Sequence, residues 1–311
     1  MQQNDTYFSF VFGPVEPVLG IDICMFVLGL VGFSINVLLL YMTFIYRKRS
    51  CAIDTTLIQI ISLFDALTSL FMVVSILLRW TTGEAVLTND GLWCRVSSIM
   101  FGGATLLTLV FAALLALVRY LVIARGWRIN GRVFTFVSYV LVVFILTEFT
   151  YLAFRFRVTV PPSGLYCLPR FWEKDYSSRF VGVTTIALLV FTIFTIPMSY
   201  LGITLHYHKL IRDMGSSKNY EHVWRIRRST NSLIVIVTCY FFAFFPEFLL
   251  VGVSVGGIVR RTNVLDGIVI FLLSSTTVIN ALFSLLLHDD IHRIFLRHLG
   301  LSRDILGQPL P

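Results

Sequence analysis

The sequence predicts an all-α membrane protein, a seven-transmembrane helix bundle with a short amphipathic cytoplasmic helix after the seventh span. Three observations predict it. The 311 residues are 57% hydrophobic and only 14% charged, with a mean hydropathy of +0.83, whereas a water-soluble domain of this length needs a far more charged surface. Seven apolar runs follow one another, each long enough to cross a bilayer, which takes about 20 predominantly apolar residues. The basic residues then gather on alternate sides of those runs.

The expected division is an extracellular N-terminus over 1–19, the bundle over 20–288, and an amphipathic helix with a cytoplasmic tail over 289–311. Within the bundle, helices are expected at about 20–46, 53–78, 92–124, 132–154, 179–210, 225–259 and 264–287. Their apolar cores contain three charged residues: Asp65 in the second, Glu148 in the fourth and Glu247 in the sixth. One such run alone could be a buried helix of a soluble protein, but seven at regular spacing argue against that. The runs lack the strict apolar–polar alternation over about ten residues that a membrane barrel strand shows. Helices satisfy their own backbone hydrogen bonds, as hydrocarbon requires.

Orientation follows from short-loop Lys and Arg. One face collects Arg47, Lys48, Arg49, Arg119, Arg125, Arg128 and Arg132, the basic residues between the fifth and sixth helices, and those of the tail. That makes 16 of the 25 basic residues, and the other face has nine. With the acids added, the net charge of +8 divides into +10 on the first face, +1 on the second and −3 within the helices. The first face is therefore expected to be cytoplasmic. The basic excess reads as topology and not as nucleic-acid binding. No basic residue precedes the first apolar run, so no cleavable signal peptide is evident and the first helix is expected to be its own anchor. Asn4-Asp5-Thr6 is a glycosylation acceptor that this orientation places outside, although the motif is common by chance. Ile291, Ile294, Phe295 and His298 make an apolar stripe with Arg293 and Arg297 beside it, suited to the membrane surface.

Several residues stand out on this frame. Cys94 follows Trp93 at the outer start of the third helix, Arg119 lies at its inner end, and Cys167 is in the long outer loop. Asn36 and Asp65 are mid-membrane, Pro197 is in the fifth helix, Pro246 in the sixth, and Asn280 is near the inner end of the seventh. This set, in order, resembles the rhodopsin-like G-protein-coupled receptors over 23–299, as a divergent member. The resemblance implies a receptor for an extracellular small-molecule ligand that signals to a cytoplasmic heterotrimeric G protein.

Cys94 and Cys167 are the cysteines that fall in outer loops, and a bridge would tie the long loop to the third helix; the alternative is two free thiols on an oxidising face. A carboxylate at mid-membrane marks a functional site by default. The family's matching Asp binds sodium and relays activation, and Thr108, Thr276, Thr277 and Asn280 stand where its partners would be. The alternative is an Asp65 hydrogen-bonded to Asn36 or Asn280 as packing glue. The resemblance places G-protein coupling at Arg119 and Tyr120, with Arg225, Arg227 and Arg228 nearby. Otherwise Arg119 is an interface anchor that snorkels to the headgroups. The family's acid beside this Arg is Val118 here, and Ile226 takes the place of a second acid on the sixth helix. Two restraints on the resting state are thus expected to be missing, and basal activity raised. Phe244, where the family has a Trp, and Pro246 form an expected switch. Asn280-Ala281-Leu282-Phe283-Ser284 stands where the family has Asn-Pro-x-x-Tyr, and the fourth helix lacks the usual Trp.

The ligand pocket implied by the resemblance is lined by Phe101, Gly102, Thr105, Leu189, Ile193, Glu247, Ile270 and Ser274. Phe101 stands where amine receptors place an Asp, which argues against a biogenic amine. Ser274 stands where opsins place their retinal lysine, which argues against retinal. No cofactor is expected beyond a possible sodium ion, and no other metal. Glu148 and Glu247 could take a cationic group or pair with Arg155 or Arg157. The lining is otherwise apolar and suits a small, weakly polar ligand. No H-E-x-x-H, G-x-S-x-G or phosphate-binding loop supports an enzyme. A transporter or channel is the alternative, although no internal repeat is visible. A non-signalling seven-helix scaffold is a third reading.

Overall fold

The computed structural model describes residues 19–46, 53–82, 87–155, 158–169, 176–214, 234–235, 237–246 and 262–287. In chain order the helices are α1 (Leu19–Tyr46), α2 (Ile53–Thr82), α3 (Leu92–Ile123), α4 (Gly131–Arg155), α5 (Tyr176–Met214), α6 (Val237–Pro246) and α7 (Asn263–Ser274, continued by Thr276–Leu287). Among the described residues, six helices are long and apolar enough to cross a membrane, and α6 is a shorter apolar helix. The chain is a multi-pass membrane protein built as an all-helical bundle. Asn4, Arg225, Ile226, Arg227, Arg228, Glu247 and the tail helix expected at 289–311 lie outside the described residues.

The bundle is organised around α3. Its inner two-thirds bury Leu107, Val110, Phe111, Ala113 and Ala116 almost completely, because α2, α4, α5, α6 and α7 surround it. By contrast α4 sends Val133, Phe136, Val140, Val143 and Phe144 outward, the all-apolar exterior that lipid solvates. Glycine sets the closest approach. A Cβ on Gly32 of α1 would lie 2.7 Å from Ser69 Oγ of α2 and 2.8 Å from Thr277 Oγ1 of α7. Gly202 of α5 likewise lets the ring of Tyr120 lie against its backbone. Small residues at such contacts are how membrane helices gain packing when lipid removes the hydrophobic drive to associate.

Two helices are irregular. Ser98–Gly103 of α3 forms a π-helical turn, and the Phe149 ring of α4 packs onto Gly102 and Gly103 there. In α7 the regular helix breaks at Ser275. Ser275, Thr276 and Thr277 donate from their hydroxyls to the carbonyls of Leu272, Leu273 and Ser274 at 2.6, 2.6 and 2.9 Å. Such back-bonding competes with the helical ladder and bends it.

The long loop between α4 and α5 holds an antiparallel hairpin, β1 (Val158–Thr159) with β2 (Leu168–Pro169), which apolar-run counting does not reveal. Its Cys167 is bonded to Cys94 of α3. Asp90, at a left-handed φ of 61°, accepts the Val158 N–H through Oδ1 at 2.9 Å. Asn89 Oδ1 accepts the Val160 N–H at 2.9 Å. The loop is thereby stitched across the end of the bundle.

Candidate functional site

Two polar clusters occupy the apolar interior. The first surrounds Asp65. Asn280 Nδ2 of α7 donates to Asp65 Oδ2 at 2.8 Å, and Thr108 of α3 lies beside the carboxylate, its hydroxyl donating to the Thr105 carbonyl at 3.0 Å. Tyr240 of α6 donates its hydroxyl to Asn280 Oδ1. Its ring stacks on Phe244 at 5.5 Å and meets Phe283 at 6.0 Å. Of the expected partners of Asp65, Asn280 donates to it, whereas Thr108, Thr276 and Thr277 each donate to a carbonyl of their own helix. Asn36 does not join; it donates to the carbonyls of Gly32 and Thr277 at 2.8 and 2.9 Å. It thus ties α1 to α7 beside Gly32.

The second cluster surrounds Arg119. Only 8% of this residue is exposed, so it is not a snorkelling anchor. Its Nε donates to Asp54 Oδ2 of α2 at 3.2 Å, and Tyr200 of α5 accepts a second hydrogen bond from it. The acid missing at Val118 and the one missing at Ile226 are thus not the whole account of what holds Arg119. Val118 is buried and apolar, but the acid arrives from α2 instead. Asp54 could have been found from register. α2 and α3 run antiparallel, and eleven residues separate Asp54 from Asp65 and Thr108 from Arg119. Eleven residues make about three turns, so each pair shares one helix face. Pairing Asp65 with Thr108 therefore brings Asp54 to Arg119. The neighbouring Tyr120 accepts from Arg125 Nε at 2.9 Å.

Of the residues expected to line a ligand pocket, those described fall in different packing environments, and Glu247 lies outside the described residues. Phe101 and Ile270 pack with Met25, Met72 and Ile76 around Tyr166 of the loop, whose ring lies 5.3 Å from that of Phe101. Gly102 is taken up by Phe149, and Leu189 packs against the main core. Thr105 and Ile193 are half-buried. Thr105 also gives its carbonyl to Thr108 at 3.0 Å. Ser274 is buried, and among the described residues its Oγ has no hydrogen-bond partner. Glu148 is buried on the inner face of α4 with the same lack at both carboxylate oxygens.

Two further buried acids, Asp22 and Asp266, carry no signal in the apolar runs, because each lies in the first turn of its helix, where charge is ordinary. Asp266 of α7 is fully buried and accepts from Ser163 N at 3.1 Å and from the Tyr166 hydroxyl at 2.9 Å. Asp22 of α1 pairs with Arg79 of α2 at 3.5 Å, and Arg79 also donates to the Gly164 carbonyl at 3.3 Å. Both tether the loop that carries Tyr166.

No family model matches the chain, and no curated protein matches it in sequence. Among solved structures it is similar to squid rhodopsin, with 15% identity over 94% of this chain and 90% of that chain, at a TM-score of 0.64. At that identity the likeness is one of fold: the seven helices are arranged as in rhodopsin.

Proposed function

We propose that the chain is a divergent rhodopsin-like G-protein-coupled receptor, with its N-terminus outside and its C-terminus in the cytoplasm. It senses a small, mostly apolar extracellular ligand and passes the signal to a heterotrimeric G protein. The observation that carries this reading is Arg119: a cation at the inner end of the central helix, withdrawn from the headgroups and held by Asp54 and Tyr200. A purely structural bundle gains little from a buried arginine, because desolvating the pair offsets most of its attraction. A residue that must be released to meet a partner explains the arrangement better.

In this reading Arg119 and Tyr120, with Arg225, Arg227 and Arg228, meet the G protein once the inner end of α6 moves outward. Phe244 and Pro246 belong to the moving element. Asp65, with Thr108 and Asn280, is the candidate sodium or proton relay. The ligand enters among Phe101, Ile270 and Ser274, where it competes with Tyr166. It shifts the equilibrium only by its differential affinity for the two states.

The test is nucleotide exchange by a panel of G proteins on the purified protein in lipid discs, screened against a ligand library. Ligand-stimulated exchange is expected, with a loss of at least tenfold in Arg119→Ala. Electrogenic flux in vesicles with no exchange on any G protein would replace the receptor with a transporter.

A further inference from the structure

The two polar clusters are joined through α2. Asp54 and Asp65 lie on the same face of α2, three turns apart and so about 16 Å along the axis. Asp54 grips α3 through Arg119, and Arg119 reaches α5 at Tyr200. Asp65 grips α7 through Asn280, and Asn280 reaches α6 at Tyr240. Tyr240 and Tyr200 are both buried in the main core. Among the described residues, the Tyr240 phenol is what ties α6 to the Asp65 cluster.

We infer that α2 is a two-point clamp on the resting state, with Asp54 restraining α3 and Asp65 restraining α6 through the Asn280–Tyr240 relay. The inference rests on the receptor reading for its consequence, but the clamp itself is a property of the helices. Val118 explains why it is needed. With no acid beside Arg119 on α3, the neutralising charge must come from another helix, so releasing Arg119 also loosens α2 from α3. Tyr240 makes the second point specific. Its ring already has Phe244 and Phe283 as neighbours, so the hydroxyl is dispensable for packing. Deleting it leaves the ring contacts and removes the tie.

The experiment compares the parent with Tyr240→Phe, Asp54→Asn and the double variant. Spin labels are placed at Val122 and Ile234, both lipid-exposed, in a background without other reactive thiols. Pulsed electron-spin distances in lipid discs read the opening between α3 and α6 without any G protein, and basal nucleotide exchange is read in parallel. Each single variant is expected to raise the open-to-closed ratio about threefold to tenfold, the range one hydrogen bond supports. The double variant should open at least as far as either single variant. Asp54→Glu, which keeps the carboxylate, should stay near the parent. Unchanged distances in both single variants, at unchanged thermal midpoints, overturn the clamp. Ligand-stimulated exchange persisting in that case leaves the receptor reading standing. Shifted distances with no exchange on any G protein do the reverse: the clamp stands and the G-protein reading falls. If Tyr240→Phe does not fold, Asn280→Ala, which removes both the amide donor to Asp65 and the acceptor of the Tyr240 hydroxyl, is read instead. It must open the same distance.

Discussion

At the scale of single residues, buried acids decide the end of the bundle that the α4–α5 loop crosses. Asp266 sits in α7 with both oxygens engaged, one by a loop N–H and one by a loop phenol. A carboxylate with two donors is a strong acceptor, and removing it orphans both. Asp266→Ala should therefore destabilise the protein by about 1–3 kcal/mol, the usual cost of leaving a buried donor unmade. Tyr166→Phe, which removes one donor with its own acceptor still held by Ser163, should cost less than Asp266→Ala. Thermal midpoints of purified protein check the order. An Asp266→Ala midpoint equal to that of the parent would show that water satisfies the loop and that the acid does not hold it. If the ligand displaces Tyr166, Tyr166→Phe should also tighten ligand binding, because the competing side chain is then held less firmly.

At the scale of elements, glycines decide how close helices come. Gly32 has side-chain oxygens of two other helices within 3 Å of the point where a Cβ would stand, whereas Gly20, the second residue of the same helix, has open space. Gly32→Val should thus lower stability by about 1–3 kcal/mol through overpacking, and Gly20→Val should not. Equal thermal midpoints for the two variants would mean that α1 can simply step away from α2 and α7. Helices were the most legible part of the sequence, because a membrane span announces itself by length and apolarity alone. The second helix, expected over 53–78, runs Ile53–Thr82, and the third, expected over 92–124, runs Leu92–Ile123. The π-turn at Ser98–Gly103 and the break at Ser275 were not legible. Each depends on a neighbour, the Phe149 ring in one case and three back-bonded hydroxyls in the other. The same limit applies to the polar site. Asp65 and Asn280 stood out because acids and amides are rare in hydrocarbon. Asp54 did not, because it lies near the end of its helix, where charge is ordinary. Tyr240 did not either, because a tyrosine among phenylalanines looks like any aromatic until its hydroxyl has a partner.

At the scale of the whole molecule, two independent asymmetries fall along one axis. Basic residues are fewer at the end of the bundle where the α4–α5 loop crosses it, and that same end carries the Cys94–Cys167 bridge. The first asymmetry reflects how a chain is inserted. The second reflects redox compartment, since disulfides persist on the oxidising side. Nothing in helix packing requires them to coincide; one orientation accounts for both. With the N-terminus outside, an N-terminal epitope should be stained on intact cells and a C-terminal one only after permeabilisation. Asn4→Gln should remove a mobility shift that a glycosidase also removes, if the acceptor is used. A membrane-impermeant reductant applied to intact cells should open Cys94–Cys167, after which a thiol-reactive tag adds two labels that the Cys94→Ser/Cys167→Ser double variant lacks. Staining of the C-terminal epitope on sealed cells, with the bridge beyond the reductant's reach, would invert the molecule. Arg119 would then face outward and could not meet a cytoplasmic partner, so this one measurement bears on the signalling reading as directly as on topology.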